Sequence, residues 1–112
     1  MRLPGGEDAI VEERKLTDYL LSTTHPLGCH KAKVFASALG LKVEGAFVLA
    51  AALRQAAAAG EAVATGHDIY GTHYRIDFLM MVGEASATVR SAWLSPPPGD
   101  RAIFLTAFVL RG

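Results

Sequence analysis

The spacing of apolar residues changes once along the chain, at Gly60. Before it the apolar residues recur with helical period. Leu16, Tyr19 and Leu20 stand at i, i+3 and i+4, which predicts a first helix over Glu12–Leu21, ended by Ser22-Thr23-Thr24. A second helix is expected to open at Pro26, whose missing N–H costs little in a first turn, and to run to Leu39. His25, lying before the proline, is pushed toward extended backbone. Gly40 can take the left-handed cap position, with Leu41 as the apolar residue after it. A third helix, Glu44–Ala59, buries a stripe of Ala46, Leu49, Ala50, Leu53 and Ala57, leaving Arg54 and Gln55 off the stripe. Gly60 supplies its stop.

After Gly60 the pattern reads as strands. Glu61–Asp68 is a weak strand and Tyr70-Gly71 a turn. In Thr72–Val82, Tyr74, Ile76 and Phe78 alternate with His73, Arg75 and Asp77, giving an apolar and a polar face. Gly83-Glu84 breaks the chain. Ser86–Ser95 then sets Val89 and Trp93 on one face, Thr88 and Arg90 on the other. Pro96–Asp100 is a loop. The last strand, Ala102–Leu110, is apolar on both faces, which predicts a central or well-covered place in the sheet. As a bare edge it would template aggregation. Helices followed by strands define an α+β domain: three N-terminal helices packed on a four-stranded, mainly antiparallel sheet. Residues 1–11, with Pro4-Gly5-Gly6, read as a flexible lead-in, and residues 12–112 as one domain.

Composition narrows the function classes. Formal net charge is zero, from 11 basic and 11 acidic residues, which argues against a protein held on nucleic acid by bulk charge but leaves room for a local basic cleft. A single cysteine excludes an internal disulfide framework and fits a reducing, cytoplasmic setting. No apolar run reaches the roughly 20 residues that span a membrane, so no membrane partner is expected. The start lacks the apolar core of a signal peptide.

The chemistry concentrates where the second helix begins. At about 100° per residue, Ala32, Phe35, Ala38 and Leu39 share one face of it, and Lys31 falls on that same face in the first turn. The helix dipole disfavours a cation there, and a buried lysine without a partner is costly. Free N–H groups at a helix start favour an anion. A phosphate would reconcile the two, which places Lys31 in a polar cleft between helix and sheet, with Arg90 and His25 in reach of the same anion. The plainer reading is a lysine that snorkels past the helix end into water. His25, Cys29 and His30 make at most a partial metal site, and no second Cys/His pair completes it, so neither metal nor cofactor is expected. No phosphate loop, dinucleotide fingerprint or nucleophile elbow is present. Cys29 reads as a small hydrophobe and Trp93 as a core anchor.

The order of motifs is itself informative. Lys15-Leu16-x-x-Tyr19-Leu20-Leu21, then His25-Pro26-x-Gly28-x-x-Lys31-Ala32-x-x-Phe35 and Leu39-Gly40, open the chain. Tyr70-Gly71-Thr72-x-Tyr74, Thr88-Val89-Arg90-Ser91-Ala92-Trp93 and Leu105-Thr106-Ala107-Phe108 follow. Over about Arg14–Arg111 this series resembles a bacterial family of domains of unknown function, whose members occur alone and as tails of polymorphic toxins and phage proteins. The chain departs from the family pattern at Cys29, Ser91, Phe108 and Arg101. Phe108 stands where a tyrosine is usual, and Arg101 lies two residues away from the usual arginine. The resemblance implies a place near the barnase–EndoU–colicin–RelE-like ribonucleases. It further implies a toxin-like, metal-independent endoribonuclease that acts on RNA and is neutralised by a small partner protein. Cleavage of that kind needs a base, an acid and cations for the phosphorane charge. His25 is the candidate acid or base, Lys31 and Arg90 the phosphate holders, and Thr106 a hydrogen-bond donor. The alternative reading is a non-catalytic interaction module, a homo-oligomer whose sheet or last strand binds a partner, or an inactive relative of the toxin fold. In that reading His25 is a loop hydrogen-bonder, Arg90 an outer-face solubiliser and Thr106 a strand filler.

Overall fold

A computed structural model describes residues 1–110. The described residues form three helical segments followed by a four-stranded sheet. First comes a π-helical turn, Leu16–Leu20. Helix α1 spans Gly28–Leu39, and α2 spans Ala46–Ala59, led in by a 3-10 turn at Val43–Gly45. The strands are β1 (Ala62–Asp68), β2 (Gly71–Val82), β3 (Ala85–Ser95) and β4 (Ile103–Val109), in spatial order β1-β2-β3-β4 with every neighbour antiparallel. The expected α+β order and all four strands are therefore present. No single helix among the described residues is long and apolar enough to cross a membrane.

The helices form where the apolar stripes predict. Gly28, Ala32, Phe35 and Leu39 of α1 are buried, as are Leu49, Ala50, Leu53 and Ala57 of α2. They pack on the sheet face that carries Ile76, Val89, Trp93 and Phe104, all fully buried. Trp93 and Phe104 meet edge to face at 5.3 Å between centroids. The Trp93 indole N–H donates to Ser91 Oγ at 2.9 Å, and Ser91 Oγ donates to the Ile76 carbonyl at 2.8 Å. These buried polar atoms are thus paired, which offsets their loss of water. Helix α1 ends on Gly40 at φ 68°, a left-handed cap open mainly to glycine, and Leu41 buries just beyond it.

Three expectations need correction. The first helix contracts to a short turn, mainly π-helical, in which the Leu21 N–H donates to the Leu16 carbonyl five residues back. The lead-in is not loose. Leu3, Ala9 and Val11 are buried, the Ala62 N–H donates to the Met1 carbonyl, and the Ser95 hydroxyl donates to the Pro4 carbonyl. Apolar residues at alternate ends of this segment give it something to bury. The third concerns β4, which is an edge strand and not a central one. Its apolar look has a local cause. The register pairs Ala92 with Thr106 but Trp93 with Phe104, so Leu105 is an extra residue in β4. Such a bulge shifts the side-chain alternation, and Phe104, Ala107 and Val109 all reach the core. The start of the edge is covered: Ile10 bridges Ile103 in parallel, and the Lys15 ammonium donates to the Phe104 carbonyl at 2.6 Å.

Candidate functional site

The start of α1, the π-helical turn and the β4 edge meet at one place. Gly28 permits the meeting. A Cβ there would lie 2.1 Å from the Tyr19 carbonyl oxygen, so only glycine lets α1 approach the turn this closely. Tyr19 is thereby set against the first turn of α1, its ring edge to face with that of His25 at 4.7 Å.

His25 caps the helix. Its Nδ1 accepts from the backbone N–H groups of Leu27 and Gly28, both at 3.0 Å, and its carbonyl accepts from Cys29 N–H at 3.0 Å. The ring takes the place of the serine or aspartate that ordinarily fills this position. Two N–H donors fix Nδ1 as an acceptor, which puts the proton of the neutral ring on Nε2. These first-turn N–H groups are occupied, so the helix start does not offer them to an anion as the sequence suggested. With Nδ1 engaged by these two N–H groups, Nε2 is the ring nitrogen that remains for another partner.

Lys31 leaves the helix on its apolar side and reaches β4. Its Nζ donates to Thr106 Oγ1 at 3.1 Å, and lies 5.2 Å from the centre of the Tyr19 ring and 6.0 Å from that of Phe108. Thr106 and Phe108 flank Ala107, which is fully buried, so they face the sheet side away from the core. The lysine stem therefore crosses the β4 edge rather than entering a cleft between helix and sheet. Among the described residues no carboxylate lies within ion-pair distance of Lys31. The ammonium is half-buried, held by one hydroxyl and two ring faces, and keeps a proton for a further acceptor.

Arg90 sits on the same outer side, opposite Phe108 in the β3–β4 register and opposite Asp77 in β2–β3. It makes a two-pronged bond to Asp77, Nε to Oδ1 and Nη2 to Oδ2, both 2.9 Å. Hydrogen bonding to Arg90 holds the Asp77 carboxyl below its usual range, outweighing the opposing effect of burial, and the charge of Arg75 adds to it. The same bond raises the Arg90 guanidinium. Its cation is thus already neutralised.

Of the four residues singled out from sequence, Lys31 and Thr106 are in direct contact, and His25 joins them through Tyr19. Arg90 is a cross-strand neighbour of Phe108 but is engaged elsewhere. Tyr19 and Phe108, the two rings around the ammonium, were not among the candidates. Helical spacing made Tyr19 a core residue, and only its place in the opening motif marked it. His73 pairs with Asp68 at 2.9 Å on the far strands β1 and β2. A cavity of about 340 Å³ at that end is lined by Pro4, His67, Asp68, Tyr74 and Ser95, and by none of the four candidates. Among the described residues no three His, Cys, Asp or Glu side chains are grouped to hold a metal ion.

Helices on one face of an antiparallel sheet define an α+β domain, with Lys31 bonded to Thr106 at its edge strand. The family model for a domain of unknown function, DUF6883, matches residues 2–111, and the chain belongs to that family. A solved chain described as "Contact-dependent growth inhibition toxin - immunity protein complex from Klebsiella pneumoniae 342" is similar in fold, with a TM-score of 0.70 at 17% identity, over 96% of this chain and 98% of that one. No curated protein matches.

Proposed function

We propose that this domain is a toxin-like, metal-independent endoribonuclease, and that a small partner protein neutralises it. The observation that carries the reading is Lys31: a half-buried ammonium bonded to Thr106 Oγ1, walled by Tyr19 and Phe108, with no carboxylate partner among the described residues. A phosphate is the anion that such a site suits, since Lys31 can donate to it and the Thr106 hydroxyl, while accepting from Lys31, can donate as well. In the cleavage step the 2′-oxygen attacks phosphorus and the P–O5′ bond breaks. The proton lost by the 2′-hydroxyl balances the one gained by the 5′-oxygen, and the products are a 2′,3′-cyclic phosphate and a 5′-hydroxyl. Lys31 and Thr106 stabilise the extra charge on the phosphorane. His25 contributes as a donor from Nε2 and as the cap that orients α1. Tyr19 stands beside the same ammonium as a further proton-bearing group.

The similar fold in a complex of a growth-inhibition toxin with its immunity protein supports both the toxin-like character and the protein partner. Two observations favour the second reading, a non-catalytic interaction module or the immunity-like side of such a pair: His25 is committed to capping and Arg90 to Asp77. The experiment that separates them is incubation of the purified domain with RNA, with and without a chelator. Cleavage that survives the chelator and leaves cyclic-phosphate and 5′-hydroxyl ends is expected. Intact RNA leaves the interaction module, and cleavage abolished by the chelator contradicts the metal-independent mechanism.

A further inference from the structure

The outer face of the sheet carries a short ladder of side chains beside Lys31. In one row Thr106 pairs with Ala92, and Ala92 with Arg75; in the next, Phe108 pairs with Arg90, and Arg90 with Asp77. Adjacent strands are roughly 4.8 Å apart, so these groups lie within a few nucleotide contacts of each other. Phe108 is an aromatic ring 36% exposed on an edge strand. One side of it meets the Lys31 ammonium, and its cross-strand neighbour Arg90 is held in place by Asp77. Ala92, between Thr106 and Arg75, adds only a methyl group to the surface. An exposed ring beside a cation is how proteins take a splayed base and its flanking phosphate. Among the described residues of this ladder the one carboxylate, Asp77, is bound by Arg90, so Lys31 and Arg75 set the sign of the ladder. A duplex keeps its base faces stacked inside and cannot use such a ring.

We infer that Phe108 is a stacking platform for one unpaired base of a single-stranded RNA, with neighbouring phosphates at Lys31 and at Arg75. The inference rests on the ribonuclease reading of Lys31 and names the form of its substrate. It gives a role to an exposed phenylalanine that the fold does not need, since the core side of β4 is filled by Phe104, Ala107 and Val109.

The test uses the whole domain and a labelled 2′-O-methyl oligoribonucleotide, which lacks the attacking hydroxyl, offered single-stranded or annealed to its complement, with binding read by anisotropy. The parent should prefer the single strand. Phe108→Ala and Phe108→Leu should both weaken single-strand binding about tenfold, leave duplex binding unchanged and keep the circular dichroism of the parent, while Phe108→Trp should bind at least as well as the parent. The platform is overturned if Phe108→Leu holds the single strand as tightly as the parent, if the variants lose single strand and duplex alike, or if the parent binds neither. A parent that cuts unmodified RNA while Phe108→Leu binds unchanged removes the platform and leaves the nuclease. A parent that binds through Phe108 yet cuts nothing removes the nuclease and leaves the platform.

Discussion

Replacing Lys31 by methionine is expected to lower RNA cleavage by a factor on the order of 10²–10³ while the domain stays folded. Methionine keeps the length and apolar stem that cross the β4 edge and removes only the ammonium. The two ring faces of Tyr19 and Phe108 accept a thioether as readily as a stem. Thr106, half-exposed, can turn its hydroxyl to water, so little stability is lost. The loss of rate comes from the transition state, where the extra phosphorane charge would face a neutral side chain. The check pairs a cleavage rate with a thermal melt. A variant that melts like the parent and cuts as fast would show that Lys31 only shields the strand edge, as lysines on edge strands commonly do.

The second large effect is on stability. Trp93→Ala is expected to cost about 3–5 kcal/mol, a large part of the roughly 5–15 kcal/mol that holds a domain of this size. Trp93 is fully buried at the centre of the sheet, touches Phe104 edge to face, and its indole N–H fills an acceptor site on Ser91 Oγ. Truncation leaves a cavity beneath the helices and a buried hydroxyl with one partner fewer. Urea unfolding of the variant should show a midpoint far below that of the parent. A change under about 1 kcal/mol would mean that the core closes over the gap, contrary to the dense packing of such interiors.

How far these features are legible in the sequence depends on how local their causes are. The α1 and α2 stripes, the Gly40 cap and the β2 alternation are written in nearest-neighbour spacing, and the structure follows them within two or three residues. Lys31 was visible for the same reason: a cation on an apolar stripe is a local contradiction. Its direct bond to Thr106, a residue named only through the family resemblance, was not. Thr106 lies 75 residues away, and the lysine reaches it around a strand edge whose position no periodicity encodes. Tyr19 escaped because its role depends on Gly28 letting two segments touch, a contact that reads in sequence only as a glycine in a helix start. The Arg90–Asp77 pair was legible in principle, since the tight turn at Gly83-Glu84 fixes which residues of β2 and β3 face each other. The bulge at Leu105 was the hidden step. It moved Phe104 and Ala107 to the same face and made an edge strand look like a central one.

Whether a nucleophilic 2′-hydroxyl and the Lys31 corner work together is tested most directly on one oligonucleotide in two forms. The parent domain is given an RNA and its all-2′-deoxy counterpart of the same sequence, both single-stranded, in the presence of a chelator. The RNA is expected to be cut and the deoxy strand to stay whole. Both strands intact, or both cut, would contradict the proposed mechanism.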